Sequence, residues 1–184
     1  MATIKVAVLV GSLRKASINR RLAYAVEKLA PKEFVFEHLG IGDLPLYSQD
    51  FDEAYPAVCK DLKASVQGAD ALLFVTPEYN RSMPGVLKNA IDIASRPWGT
   101  NSFAGKPAAV IGASIGATGS ALAQQHLRNT LAYVDMAVLA QPEVFIQFKD
   151  DNLIDADGKI GNEGTAKFLQ DFVDRYVAWV KRFV

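Results

Sequence analysis

A single cysteine, Cys59, leaves the chain without an intrachain disulfide, which fits a reducing compartment. Charge of one sign is also missing: twenty basic residues balance twenty acidic ones, and the isoelectric point lies near 6.7. A nucleic-acid or membrane-surface binder needs a basic surplus, so neither class is expected. The same neutrality means weak self-repulsion and is compatible with oligomers. No run approaches the ~18 uninterrupted apolar residues that span a bilayer. The apolar start, Met1 to Val10, is broken by Lys5 and precedes no small-residue cleavage site before Arg14, unlike a secretory signal. Low-complexity tracts and composition shifts that would mark a linker are lacking too. The expectation is a soluble, cytoplasmic, single-domain protein over residues 1–184, half apolar and long enough for a sizeable core.

What is present is an alternation of short apolar runs with helical periodicities. Ile4–Val10, Phe34–Leu39, Ala71–Val75, Ala108–Ala113 and one segment within MAVLAQPEVFIQF (136–148) read as strands. Ile18, Leu22, Val26 and Leu29 mark one face of a first helix, and Val58, Leu62, Val66 and Ala69 that of a second. Val86–Ile93 supplies a third helix and Gly119–Tyr133 a fourth. Leu169, Phe172, Val173, Tyr176, Val180 and Phe183 line a long closing helix that Asn162 is placed to cap. Cys59 falls near Leu62 and Val66, which suits an inert core thiol. The strands show little polar alternation, so five of them alternating with five helices predict a parallel sheet covered on both faces. Such sheets bind ligands beyond the carboxyl ends of their strands. The loops after the first, third and fourth strands are therefore the ones to read.

The first loop opens GSLRKASINRRL (11–22). Backbone amides at a helix start, together with the helix dipole, favour an anion. Ser12, Ser17 and Asn19 add neutral donors, and Arg14 adds a charge and a planar fork suited to phosphate. Ser17 as an ordinary N-cap accounts for itself but not for the others. The glycine fingerprints of dinucleotide sites and of nucleoside-triphosphate loops are both missing. With one glycine, side chains must replace close backbone approach, which suits a terminal monophosphate. The second loop, TPEYNRSMPG (76–85), is bracketed by Pro77 and Pro84 and carries Tyr79. Its restricted backbone and aromatic side chain suit it to line a flat heterocycle. In the third loop, GASIGATGSA (112–121), Gly112, Gly116 and Gly119 are expected to let backbone approach a ligand closely.

Three tempting motifs fail on spacing or on missing partners. GASIG matches the G-x-S-x-G nucleophile elbow, which needs an acid and then a histidine later in the chain. Only His126 follows Ser114, on the same helix with no Asp or Glu between, and His38 precedes it. GTNSFAGK (99–106) has five residues between its glycines instead of four, and Pro107 stands where Ser or Thr is required. LIDADGKIGNEG (153–164) has Leu153 and Gly164 at the positions a calcium loop fills with acids, so no metal is expected.

In order along the chain, GSLRKASINRRLA, DLPLYSQD, TPEYNRSMPGVLKNAIDIASRP, GKPAAVIGAS and GATGS resemble the NADPH-dependent FMN reductases, and within them the bacterial quinone and chromate reductases. The likeness covers most of residues 1–120 and extends to the final helix after LIDADGKI. It implies an α/β, flavodoxin-like, doubly wound five-stranded parallel sheet of order 2-1-3-4-5 with helices on both faces. It implies FMN as a tightly held cofactor, its phosphate among Ser12, Arg14, Ser17, Ile18 and Asn19. The isoalloxazine is then expected against Pro77, Glu78, Tyr79, Asn80 and Arg81, with Ser114 and Gly116 nearby. NADPH or NADH is the implied donor, in a two-electron ping-pong reduction of quinones, chromate, azo compounds or free flavin. No protein acid or base is required, because the hydride chemistry belongs to the flavin. Homodimers or homotetramers are implied as well. A one-electron flavodoxin carrier shares fold and cofactor but is usually strongly acidic, whereas this chain is neutral. A phosphoryl-accepting signalling domain needs acids where this chain has Gly11-Ser12 and Val75-Thr76.

Overall fold

In a computed structural model residues 3–184 are described; Met1 and Ala2, the first two residues of the expected single domain, lie outside the described residues. The elements run β1 (Ile4–Val10), α1 (Ile18–Leu29), β2 (Phe34–His38), α2 (Ala57–Gly68), β3 (Ala71–Val75) and α3 (Gly85–Ser95). They continue with β4 (Pro107–Ser114), α4 (Ala121–Tyr133), β5 (Ala137–Val138), β6 (Val144–Gln147) and α5 (Glu163–Val180). All strand pairs are parallel, in the order β2-β1-β3-β4-β5, with β6 also on β4.

Alternate residues of a strand face opposite sides, and here each side meets its own helices. Val6 and Val8 of β1 join Leu22, Val26, Phe172 and Tyr176 in a core beneath α1 and α5. Ala7 and Leu9 join Leu62, Phe74, Ile91 and Leu127 beneath α2, α3 and α4. The buried Tyr176 hydroxyl donates to the Leu72 carbonyl at 3.0 Å, tying α5 to the middle strand. Between β2 and α2, Asn89 of α3 holds the DLPLYSQD segment by donating to Pro45 O and accepting from Tyr47 N–H, both at 2.9 Å.

Three expectations need correction. The fifth strand is two short pieces: β5 pairs with Pro107 and Ala108 at the start of β4, and β6 with Ile111–Ser114 at its end. Pro142 stands in the break, where a residue without an N–H cannot extend a ladder. Arg128 of α4 serves the gap instead, its Nη1 donating to Leu139 O at 2.7 Å. On α2 the buried row is Cys59, Leu62 and Val66, while Val58 points outward at 38% exposure. Phe183 lies beyond the end of α5, 45% exposed, with its ring edge-on to Trp179. Asn162 caps α5 as expected, accepting from Thr165 N–H at 2.8 Å.

Cys59 is fully buried, and burial pushes its thiol pKa up. The folded protein is therefore expected to show no titratable thiol with a disulfide reagent, and one after denaturation. Prompt labelling of the native chain would contradict that placement. Among the described residues no helix is long and apolar enough to cross a membrane, and no group of three or more His, Cys, Asp or Glu could hold a metal ion.

Candidate functional site

Val10, Val75 and Ile111 lie side by side on β1, β3 and β4, and β4 runs three residues further, to Ser114, beside β6. Three loops thus leave one edge from adjacent strands. The chain passes from β1 to α1 on one face and from β3 to α3 on the other, which makes this edge the topological switch point.

In the first loop Gly11 sits where a Cβ would lie 3.2 Å from Leu87 and 3.4 Å from Pro77, so glycine permits the second loop's close approach. Ser12 and Ser17 are buried, Ile18 is half-buried, and Arg14 is exposed. Ser17 caps α1, its Oγ accepting from Arg20 N–H at 3.2 Å, and its own hydroxyl hydrogen stays available to donate. The first-turn amides of Ile18 and Asn19 have no acceptor within the helix. A cleft of about 340 Å³ at this helix start is lined by Lys15, Ser17, Arg20 and Arg21. Arg21 is paired there with Asp151 at 2.7 Å. The Asn19 side chain departs from the expectation. Its amide donates to Ala113 O and accepts from Ala113 N–H, both at 2.9 Å, which ties it to β4.

The second loop continues the sheet through Thr76 N–H to Ile111 O at 3.0 Å and then passes the buried Pro77. Tyr79 and Ser82 exchange two backbone hydrogen bonds of 3.0 Å around Asn80 and Arg81, at φ 51° and 64°. Two left-handed residues make a tight primed turn, a conformation asparagine adopts readily and arginine does not. The turn leaves Tyr79, Asn80 and Arg81 exposed. Glu78 turns inward, and its side chain is only 9% exposed. Its Oε2 accepts from Leu122 N–H at 3.0 Å and Ala123 N–H at 3.3 Å.

Only one of the three glycines in the third loop faces open space. A Cβ on Gly112 would lie 2.1 Å from Thr76 O, and one on Gly119 would lie 2.6 Å from the Phe145 backbone. These two admit the protein's own chain, not a ligand. Gly116 has only Ser114 Oγ within reach, at 3.6 Å, and Ser114 donates to its carbonyl. Sequence reasoning missed Thr118, Leu122 and His126, which anchor the second loop to α4. The available sequence signal was a helix start with no acid in its first turn; that Ser120 provides no side-chain cap shows only in the fold.

Larger clefts exist elsewhere. One of about 440 Å³, bordered by Arg96, Trp98, Asn101 and Tyr133, lies by the opposite edge of the sheet and shares no residue with the three loops. The loop edge has the donors: amides at a helix start, hydroxyls and an arginine beside a fixed aromatic turn. Such groups bind and orient an anionic, flat ligand.

Residues 4–151 match the family described as NADPH-dependent FMN reductase. A 2-hydroxy-1,4-benzoquinone reductase from a Burkholderia species is 55% identical over 178 residues, covering 97% of each chain. A quinone reductase from Pseudomonas putida is 48% identical over 96% of this chain and 94% of its own. Among solved structures, FerB, a flavoenzyme NAD(P)H:(acceptor) oxidoreductase from Paracoccus denitrificans, superposes with a TM-score of 0.94. It is 49% identical, over 98% of this chain and 99% of that one.

Proposed function

The chain belongs to the NADPH-dependent FMN reductase family, and we propose that it passes electrons from NAD(P)H to quinones in two-electron steps. Its cofactors are FMN and NAD(P)H. The observation that carries the reading is the start of α1 at the switch point, where Ser17 caps a helix whose first-turn amides have no acceptor within it, and buried Ser12 and exposed Arg14 lie in the loop just before. That donor set fits the terminal phosphate of FMN: it is anion-selective and lacks the second glycine a pyrophosphate needs for close approach. When bound, FMN supplies the hydride-accepting and hydride-donating chemistry.

The chain's own residues bind and orient. Ser12, Arg14, Ser17 and the amide of Ile18 hold the phosphate, with Asn19 contributing its backbone N–H. Pro77 gives the ring a rigid edge, the Tyr79–Arg81 turn flanks it, and Ser114 with Gly116 borders it from the third loop. Backbone amides of the Asn80 turn and of the glycine loop would favour charge developing at the ring edge. The exposed Tyr79, Asn80, Arg81 and Gly116 leave the edge open to flat or small oxidants. The quinone substrates named for the Burkholderia and Pseudomonas relatives support a quinone here; chromate, azo compounds and free flavin suit the same open edge. The resemblance to the family supports a homodimer or homotetramer, with which the near-neutral charge is compatible, and the single buried cysteine supports a cytoplasmic setting.

The test is a visible spectrum followed by anaerobic addition of NADPH. The purified protein is expected to be yellow, to release FMN on denaturation, and to bleach on NADPH addition and recover when a quinone is added. Release of FAD, or a colourless protein that FMN cannot reconstitute, would overturn the reading.

A further inference from the structure

We propose that Glu78 is a positioning residue for the flavin ring: from the second loop it caps α4, and thereby fixes the second and third loops on either side of the site. The inference rests on the FMN reading above and adds a role that the cofactor alone does not assign. Helix α4 cannot finish its own N-terminus. Ser120 lies at φ 74°, offers no side-chain cap, and the first turn holds no acid. Glu78, 44 residues upstream, supplies both needs by meeting the Leu122 and Ala123 amides with one oxygen. Its other oxygen lies 3.5 Å from Thr118 Oγ1 and 3.6 Å from Arg81 Nη1. A carboxylate at the positive end of a helix is favourably placed. Buried in this way, it serves the frame and is not presented to a ligand.

The constraint passes in both directions. Residues 115–120 hang between β4 and α4, so fixing the first turn of α4 fixes the loop that carries Gly116. On the other side, Ser82 Oγ lies 3.0 Å from His126 Nδ1, one helical turn beyond Leu122. Glu78 and Ser82 thus pin both ends of the turn that holds Asn80 and Arg81 at positive φ. An arginine at φ 64° is kept there by its surroundings, since its own preference lies elsewhere. Helix α4 is the template that imposes the shape, and Glu78 is the first clasp. Because Glu78 already occupies the anion-favouring end of α4, the start of α1 is left as the place for the flavin phosphate.

The test compares Glu78→Ala, Glu78→Gln and, as a control cap elsewhere, Asn162→Ala. In apoprotein, amide hydrogen exchange at Leu122 and Ala123 should quicken about tenfold in Glu78→Ala. FMN and riboflavin dissociation constants, read from quenching of flavin fluorescence, should both rise about five- to tenfold, because the ring and not the phosphate loses its frame. Glu78→Gln keeps one accepting oxygen and should restore most of both. Asn162→Ala should leave flavin affinity at the wild-type value even where its loss of thermal stability is comparable. Faster exchange with unchanged flavin affinity would overturn the proposal by making Glu78 a helix cap and nothing more. Weakened FMN with unchanged riboflavin would overturn it by moving Glu78 to the phosphate. Failure of the wild-type protein to bind either flavin would remove the FMN reading itself, and this inference with it.

Discussion

Asn19→Ala is expected to lower the thermal midpoint of the apoprotein by roughly 5–20 °C. The Asn19 amide is buried and exchanges two hydrogen bonds of 2.9 Å with the backbone of Ala113. Ala113 is itself fully buried in β4, so no water takes over when the side chain is removed. Each backbone group left unmatched costs about 1–3 kcal/mol, which for two gives about 2–6 kcal/mol. A domain of this size loses roughly 2–4 °C per kcal/mol. Asn19→Asp should not rescue, since a carboxylate oxygen would then face the Ala113 carbonyl in place of the donated N–H. Differential scanning calorimetry of the two variants decides the matter; a shift below about 2 °C for Asn19→Ala would show that the clamp carries little of the stability.

That clamp also marks the boundary of what the sequence discloses. Strands β1 and β3 were legible to the residue because an apolar run buried on both faces is a local pattern. The faces of α1 and α5, Phe183 apart, were legible because helical periodicity is local too. Asn19 was read as a phosphate donor on its residue type and place in the loop, and nothing near it in sequence signals a partner 94 residues away. Glu78 is the same case: the resemblance put it beside the isoalloxazine, and nothing near it in sequence signals the α4 amides that its carboxylate meets. Gly112 and Gly119 were read as openings for a ligand, yet each is small because another stretch of backbone lies against it. The split of the fifth strand had a local sign in Pro142, although the arginine that fills the break comes from α4. Residue type at the switch point was therefore informative about the ligand's chemistry. Which of those side chains face the ligand, and which hold the frame, depended on contacts between distant segments.

We propose Arg14 for the first group, and Arg14→Ala is expected to weaken FMN binding about 10- to 150-fold while leaving riboflavin almost unchanged. Unlike Asn19, Arg14 is exposed, and it stands at the start of a helix whose first-turn amides already favour an anion. A charge-assisted hydrogen bond contributes about 1.5–3 kcal/mol, and every 1.4 kcal/mol is about tenfold in affinity. Riboflavin shares the ring and lacks the phosphate, so the pair of ligands separates a phosphate contact from a general disturbance of the loop. An exposed side chain contributes little to the core, so the thermal midpoint of the apoprotein should stay within about 2 °C of the parent. Arg14→Lys should recover part of the loss, since it restores a charge without the planar fork that matches two phosphate oxygens. Raised salt should narrow the gap between parent and variant for FMN, because an exposed charge is screened within about 10 Å at 0.1 M. Titration of the apoproteins with both flavins gives the answer. Equal affinities of parent and variant for FMN would take Arg14 out of the site. Equal weakening of both flavins would instead make it an organiser of the loop, and the phosphate would then rest on Ser12, Ser17 and the helix amides alone.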